Sequence, residues 1–526
     1  MTAPVLKTET ADRPARASWV LVGLIAVASV ANLNLAVANV ALPDIGLSLH
    51  ASQTGLNLVS VGFSLGLAGT VLYLGALGDR YGRKMLLALG MVLTVPTALL
   101  AAWAPSITLL FIARLLGGIA AGMAYPTTLA LITALWRGAP RTRSIALWSA
   151  VGGSMVALAS VLAGWLLVHF WWGSVFLLTV PLAIGALALA LIFVPSHVNE
   201  TTEPVDNLGG ALSIVGIIAL VLAINFAPSA GDQVIAVIAG VVAVVALVAF
   251  FSVQHRSKNP LFDLAVASRR VFWVAAVAGL IVFGTLMGSI YIGQQFLQNV
   301  LGYSTLKAGI SVLPAAIAMV LVAPQSAKMI GRFGSRVTLL CGYASCLVSF
   351  ILMLALWTAH SSELEVGIVF VLLGVGVGLA GTPASHSLTG SVPVHRAGMA
   401  SGTADLQRDL GGAIMQSILG AILTFGYAAA VGVQLAGHNA SAQVTSELER
   451  SYSSAADYAA TAPPQEAAAI IKGARESFLQ GANWAYAAGI VLIVLGAALV
   501  WTLFPKRERE LELLERYERE DARLTS

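Results

Sequence analysis

The chain has 526 residues, 58% of them hydrophobic and only 10% charged, with 51 glycines. A soluble domain carries roughly 25% charged residues, so this chain cannot cover a water-facing surface and reads as a protein dissolved in lipid. The net charge of +4 and pI near 9.1 invite a nucleic-acid reading, which the placement of the basic residues removes below. The two cysteines, Cys341 and Cys346, lie in an apolar run and exclude a disulfide framework. The eight histidines show no metal spacing, and there is no phosphate-binding loop, so neither a metal, a cofactor nor an enzyme class is supported.

A bilayer span needs roughly 20 apolar residues. Fourteen such segments are predicted: 18–43, 55–77, 86–103, 107–135, 144–169, 174–195, 208–226, 233–254, 271–299, 306–330, 337–358, 366–391, 398–433 and 482–504. The arm 1–17 is polar. The apolar run after it is too long for a signal peptide and lacks a small-residue cleavage site, so it reads as the first span. Between spans 6 and 7, Ser196–Asn207 carries three acids and no Lys or Arg and reads as a linker. After span 13 the stretch 437–480, split by Pro463–Pro464, contains "SELERSYSSAADYAA" and "QEAAAIIKGARESFL" and predicts an external helical hairpin. The tail "KRERELELLERYERED" reads as a charged helix with i,i+4 pairs, solvated and with no role beyond topology.

An even number of spans puts both termini on one side. With that side cytoplasmic, 23 of the 29 Lys and Arg residues fall inside the cell. Four fall outside (Lys307, Arg450, Lys472 and Arg475), and Arg114 and Arg408 lie within the membrane. This is the positive-inside asymmetry of a plasma-membrane protein, and it accounts for the basic pI without nucleic acid.

Two cytoplasmic turns resemble each other. "GALGDRYGRK" (75–84) follows span 2 and "AKMIGRFGSR" (327–336) follows span 10. That spacing suggests two six-helix halves with spans 7 and 8 inserted between them. The predicted units are the arm 1–17, a first bundle 18–195, a linker with two extra helices 196–270, a second bundle 271–504 with the external loop 437–480, and the tail 505–526. The turn itself needs Gly for a tight approach and basic residues to hold orientation, and an acid there can pair with a neighbouring base.

"GALGDRYGRK" also resembles the major facilitator motif between helices 2 and 3, with Gly75, Asp79, Arg80, Gly82, Arg83 and Lys84 in place. "NVALPDI" (39–45), "FWWGSVFLLTVPLAI" (170–184), "FLQNVLGYSTLKAGISVLP" (296–314) and "GMASGTADLQRDLGGAI" (398–414) resemble its fourteen-helix drug:proton antiporter branch, the quaternary-ammonium and multidrug subgroup. The resemblance implies an all-α integral membrane fold of two six-helix bundles plus two inserted helices. It also implies that Asp79 and Arg83 act as a conformational latch. "LLFIARLLGGIAAG" (109–122) resembles the helix 4 motif, which implies a coupling role for Arg114. The chain departs from the family pattern at three places. Asn34 stands where an aspartate is usual in helix 1, Val61 where the subgroup has a helix 2 acid, and Ala159–Ser160 where helix 5 has a Gly-Pro pair.

Proton coupling needs a titratable group reachable from both sides, and burial disfavours the charged form of a carboxyl. Of the 25 acids, only Asp405 and Asp409 lie well inside a span. Asp409 is 13 residues beyond Arg396, roughly 20 Å along a helix and near the midplane. The spacing of four places both acids on one face, and Arg408 is positioned to pair with Asp405. A cargo cavity is expected between the halves. Its candidate lining is Asn34, Asn39, Asn57, Phe63, Trp148, Met155, Phe283, Met287, Tyr291, Gln294 and Gln295. An apolar, aromatic and Met-containing pocket favours amphipathic cargo, and its rings attract cations. The function expected is therefore proton-driven antiport of lipophilic drugs by a monomer whose partners are protons, lipid and a small amphipathic substrate. The alternatives are export of an endogenous lipid, siderophore or natural product, and a non-transporting sensor or scaffold.

Overall fold

Fourteen helices among the described residues are long and apolar enough to cross a bilayer, in the number and order of the predicted segments. The computed structural model describes residues 14, 16–51, 53–196, 198, 204–227, 233–436 and 442–525. Most of the arm 1–17 and of the linker 196–207 therefore lies outside the described residues. The first six spans are α1 (Ala17–Leu49), α2 (Gln53–Tyr81), α3 (Arg83–Ala102), α4 (Ile107–Leu135), α5 (Gly138–His169) and α6 (Ser174–Phe193). The inserted pair is α7 (Asn207–Phe226) and α8 (Gln233–Arg256). The second half is α9 (Arg270–Gln295), α10 (Thr305–Phe333), α11 (Ser335–Leu356), α12 (Glu363–Gly390) and α13 (Ala397–Leu435). Two short helices, α14 (Ala442–Arg450) and α15 (Tyr452–Thr461), lead to the last span, α16 (Pro464–Leu503), and the tail forms α17 (Arg507–Thr525).

Lipid gives helices no hydrophobic reason to associate, so close backbone approach has to hold them. The two halves use it at matching places. A Cβ on Gly118 of α4 would sit 2.1 Å from the Phe63 carbonyl oxygen of α2, and one on Gly374 of α12 would sit 2.1 Å from the Ala315 oxygen of α10. These are the second and fourth helices of each half. The two resembling turns match as well: Gly82 and Gly334 each link consecutive helices with φ of 113° and 83°, a region that favours glycine.

The halves meet where α5 packs on α10 and α12, and where α13 packs on α2 and α4. The inserted pair covers the α2–α13 seam. Ile217 and Val221 of α7 pack with Val61, Leu65 and Ala68 of α2, and Leu406 and Leu410 of α13 join them. Ser417 of α13 also donates to the Ile224 carbonyl of α7 at 2.9 Å.

Two expectations change. The stretch expected to form an external hairpin is α14, α15 and the first part of α16. The last span has no separate start near residue 482, because nothing between Pro464 and Leu503 breaks the helix. Residues 437–441 of that stretch lie outside the described residues. The tail is also not a freely solvated helix. Glu510 is buried and accepts from the Ser335 N–H at 3.1 Å. Asp521 receives both guanidinium nitrogens of Arg269, at 2.5 and 3.1 Å, while Arg269 lies 4.6 Å from the Tyr517 ring centre. Burial pushes the Glu510 carboxyl above its ordinary range, against the Ser335 N–H bond that pulls it down. The outer face carries the exposed pairs Arg509–Glu512, Arg516–Glu520 and Arg519–Glu515.

Candidate functional site

Three polar assemblies tie the helices together. The first lies on the face bearing both termini. Asp79, at the end of α2, and Arg83, at the start of α3, form a buried pair at 2.7 Å. Asp79 Oδ2 accepts from the Gly398 N–H at 2.8 Å, and Arg83 donates to the Val394 carbonyl at 3.0 Å. Both bonds cross from the first half to the second, so this face is closed. Gly75 permits the approach, since a Cβ there would lie 2.9 Å from the Gly398 oxygen. Lys84 donates to the Leu191 and Val194 carbonyls at 2.8 and 2.6 Å, closing the last turn of α6, and Arg80 lies over the Tyr81 ring.

The second assembly surrounds Arg114. Its guanidinium is 2% exposed and donates to the Asn34 backbone oxygen at 2.7 Å, the Asn34 side-chain oxygen at 3.3 Å and the Leu35 oxygen at 3.4 Å. The Phe63 and Phe176 rings lie 4.8 and 5.8 Å away. A buried cation with no acid beside it among the described residues is thus held by carbonyl dipoles and ring faces. Asn34 and Phe63, expected in the cargo cavity, are both taken up here.

The third assembly is on α13. Its glycines set the helix's orientation. Gly398 and Gly402 face α2, while Gly411 and Gly412 face Leu280 and Met287 of α9. Asp405 falls on the α2-facing side, 1% exposed, and neither carboxyl oxygen has a hydrogen-bond partner. Asp409 is half-buried with one oxygen enclosed and unpartnered. The expected Arg408–Asp405 bond is not formed. Arg408 instead turns across the interface, donating to the Tyr125 hydroxyl of α4 and to Ser149 of α5 at 3.4 Å. Its guanidinium lies 4.4 Å from the Trp148 ring, 4.8 Å from Phe283 and 5.9 Å from Tyr125. Tyr125 stacks on Trp148 at 5.6 Å, and Trp148 is fixed by a 2.8 Å bond to Thr128.

Trp148 and Phe283 are thus brought together with Arg408. Met287 lies against Gly412 nearby, and Met155 is half-buried on α5. The remaining candidates stand apart. Asn39 is exposed and accepts from Ser60 at 2.7 Å, Asn57 is half-buried near the start of α2, and Tyr291 is exposed beside Gly420. Gln294 donates to the Ala308 carbonyl at 3.2 Å, and Gln295 is half-buried next to it. Tyr125 and Ser149 were not foreseen. The available signal was a lone phenol in the apolar span "AGMAYPTTLA", where a buried hydroxyl needs a partner.

The family model of the Major Facilitator Superfamily matches residues 24–416. The multidrug resistance protein Stp of Mycobacterium tuberculosis is 33% identical, over 74% of this chain and 73% of its own length. The multidrug efflux pump LfrA of Mycolicibacterium smegmatis is 31% identical over 86% and 89% of the two chains. The methyl viologen resistance protein SmvA of Salmonella typhimurium is 30% identical over 91% and 96%. Among solved structures, the proton:xylose symporter XylE matches with a TM-score of 0.57 at 15% identity, covering 93% of this chain and 96% of that one. The human organic anion transporter MFSD10 matches at 0.55 and 14% identity, covering 92% and 98%. With its fourteen apolar helices and a family match over most of its length, the chain belongs to the major facilitator superfamily.

Proposed function

We propose that this protein exports lipophilic, amphipathic and often cationic drugs across the plasma membrane in exchange for protons. The observation that carries the reading is the pair Asp405 and Asp409. Both are acids deep in α13, with unpartnered oxygens, at the seam where α13 meets α2 and α4. A buried carboxylate without a partner is costly, whereas the neutral acid is accepted there. Such a group takes up a proton when the site opens to one side and yields it when cargo or a cation arrives from the other. Asp409, the more open of the two, is the entry point, and Asp405 holds the proton. The Asp79–Arg83 latch stabilises the state closed on the terminal face, and Arg114 keeps α1 and α4 moving as one piece. The termini face the cytoplasm, the two halves rock against each other, and a monomer suffices. The drug-efflux names of the relatives agree with this cargo class.

The test is uptake of a lipophilic cation into proteoliposomes with and without an imposed pH gradient. Gradient dependence is expected for wild type and absent in Asp405→Asn and Asp409→Asn. Undiminished coupling in both variants would overturn the assignment. A second reading, export of an endogenous neutral or singly charged amphiphile, is favoured by the neutral Asn34 and by Val61, which is buried among apolar residues of α2 and α7. Lipid and metabolite profiles of a deletion strain, set against its growth on a drug panel, separate the two.

A further inference from the structure

We propose that the Tyr125–Trp148–Phe283 cage is the cation-binding site, that Arg408 is its resident occupant, and that cargo is coupled to protons because cargo and guanidinium compete for it. The inference rests on the exporter reading and adds its binding site and its exchange step. Three rings from three helices, α4, α5 and α9, converge on one guanidinium at 4.4, 4.8 and 5.9 Å. Such a cage binds organic cations generally, so it is as suited to a lipophilic ammonium as to an arginine. Two of the walls, Tyr125 and Trp148, belong to the first half, while Phe283 and Arg408 belong to the second. An occupant therefore bridges the elements that move.

Arg408 has somewhere else to go. Asp405 lies one helical turn away on the same helix, within reach of a rotamer change, and both its oxygens are unpartnered. Asp409 is sequence-adjacent and points off the shared line, so Asp405 is the partner. The titratable groups around the guanidinium are Asp405 and Asp409 on α13 and Tyr125 on α4. The other groups that face it, Ser149 and Trp148 of α5 and Phe283 of α9, carry no titratable side chain.

The exchange then balances. Cargo entering from the terminal face displaces Arg408 from the rings. The guanidinium swings to Asp405, whose carboxyl releases its proton to water on that side. After the halves rock, a proton from the far side neutralises Asp405, the ion pair is lost, and Arg408 returns to the cage and expels the cargo outward. With its terminal face closed, Arg408 in the cage and Asp405 unpaired, the structure matches the state after cargo has left.

The experiment is equilibrium binding of tetraphenylphosphonium to the purified full chain, with proton release followed by a pH dye in weak buffer. Wild type is expected to release about one proton per cation bound. Arg408→Gln is expected to bind about tenfold more tightly and release none. Adding Trp148→Leu to Arg408→Gln is expected to reverse that gain, which a merely electrostatic effect of removing Arg408 would not do. If Arg408→Gln does not fold, Arg408→Lys serves, with tighter binding and release retained. Cation binding by Arg408→Gln that is weaker than wild type, or that still releases a proton, overturns the cage. So does an affinity in the double variant equal to that of Arg408→Gln. Binding by wild type without any proton release sinks the proton-exchange reading itself, which separates the two failures.

Discussion

The latch proposed for Asp79 and Arg83 on the terminal face has a measurable consequence. Opening that face breaks the two bonds that Asp79 and Arg83 make between the halves, Gly398 N–H to Asp79 at 2.8 Å and Arg83 to the Val394 carbonyl at 3.0 Å. The Asp79–Arg83 pair itself lies within one half and survives. A hydrogen bond to a charged group contributes about 1.5–3 kcal/mol, and a neutral one about 0.5–1.5 kcal/mol. Asp79→Asn turns the first bond into a neutral one and loosens the aim of Arg83, so the closed state loses about 1–2 kcal/mol. That shifts the open population by a factor of roughly 5–30. Thr142 of α5 provides the assay. It is buried and faces His386 of α12 across the seam at 3.4 Å. With Cys341 and Cys346 replaced by serine, Thr142→Cys should react with a maleimide only when that face opens. The labelling rate should rise by the same factor in Asp79→Asn. A rate within twofold of the parent would refute the latch.

Three further outcomes follow from the packing and the charges. Arg114→Lys should lower drug uptake into proteoliposomes at least about tenfold, because one ammonium cannot span the Asn34 and Leu35 carbonyls that the guanidinium fork bridges. Gly118→Ala should cost about 1–3 kcal/mol or more, read as a lower thermal midpoint in detergent, since its Cβ collides with the Phe63 backbone. Gly185→Ala, with open space around it, should leave the midpoint unchanged. Because burial raises the Glu510 carboxyl, the docked tail binds a proton more tightly than the free tail. Docking should therefore be strongest below the ordinary glutamate range and weaken as the pH rises through that range toward the raised value. A spin label at Leu514→Cys should become more mobile over that interval, and Glu510→Gln should abolish the change.

Bilayer thickness is what made the spans legible. A length constraint acts on each segment separately, so counting apolar runs in order recovers the fold. The paired glycine turns were legible for a similar local reason, since 75–84 and 327–336 each solve the same short connection. The partners of buried charges were not. Local spacing pointed Arg408 at Asp405, three residues away, but the groups that hold it sit on α4, α5 and α9, as much as 283 residues off. Asn34 read as a cavity residue until the guanidinium of Arg114, 80 residues on, claimed it. The tail looked fully solvated because the residues that receive it, Arg269 and Ser335, belong to distant turns.

The last span carries a mechanical consequence. At 40 residues, α16 is about 60 Å long, while the hydrocarbon it crosses is about 30 Å thick. The excess outruns the hydrocarbon and is braced by α15 through the Tyr452–Phe478 ring contact, while α14 is tied to α13 by the Tyr427 hydroxyl, which donates to the Leu448 carbonyl at 3.0 Å. It is a lever arm fixed to one half. Rocking that half by about 15° would sweep the tip through roughly 8 Å. A binder that grips the tip would therefore stall the transport cycle from outside the membrane, without ever entering the path the cargo takes.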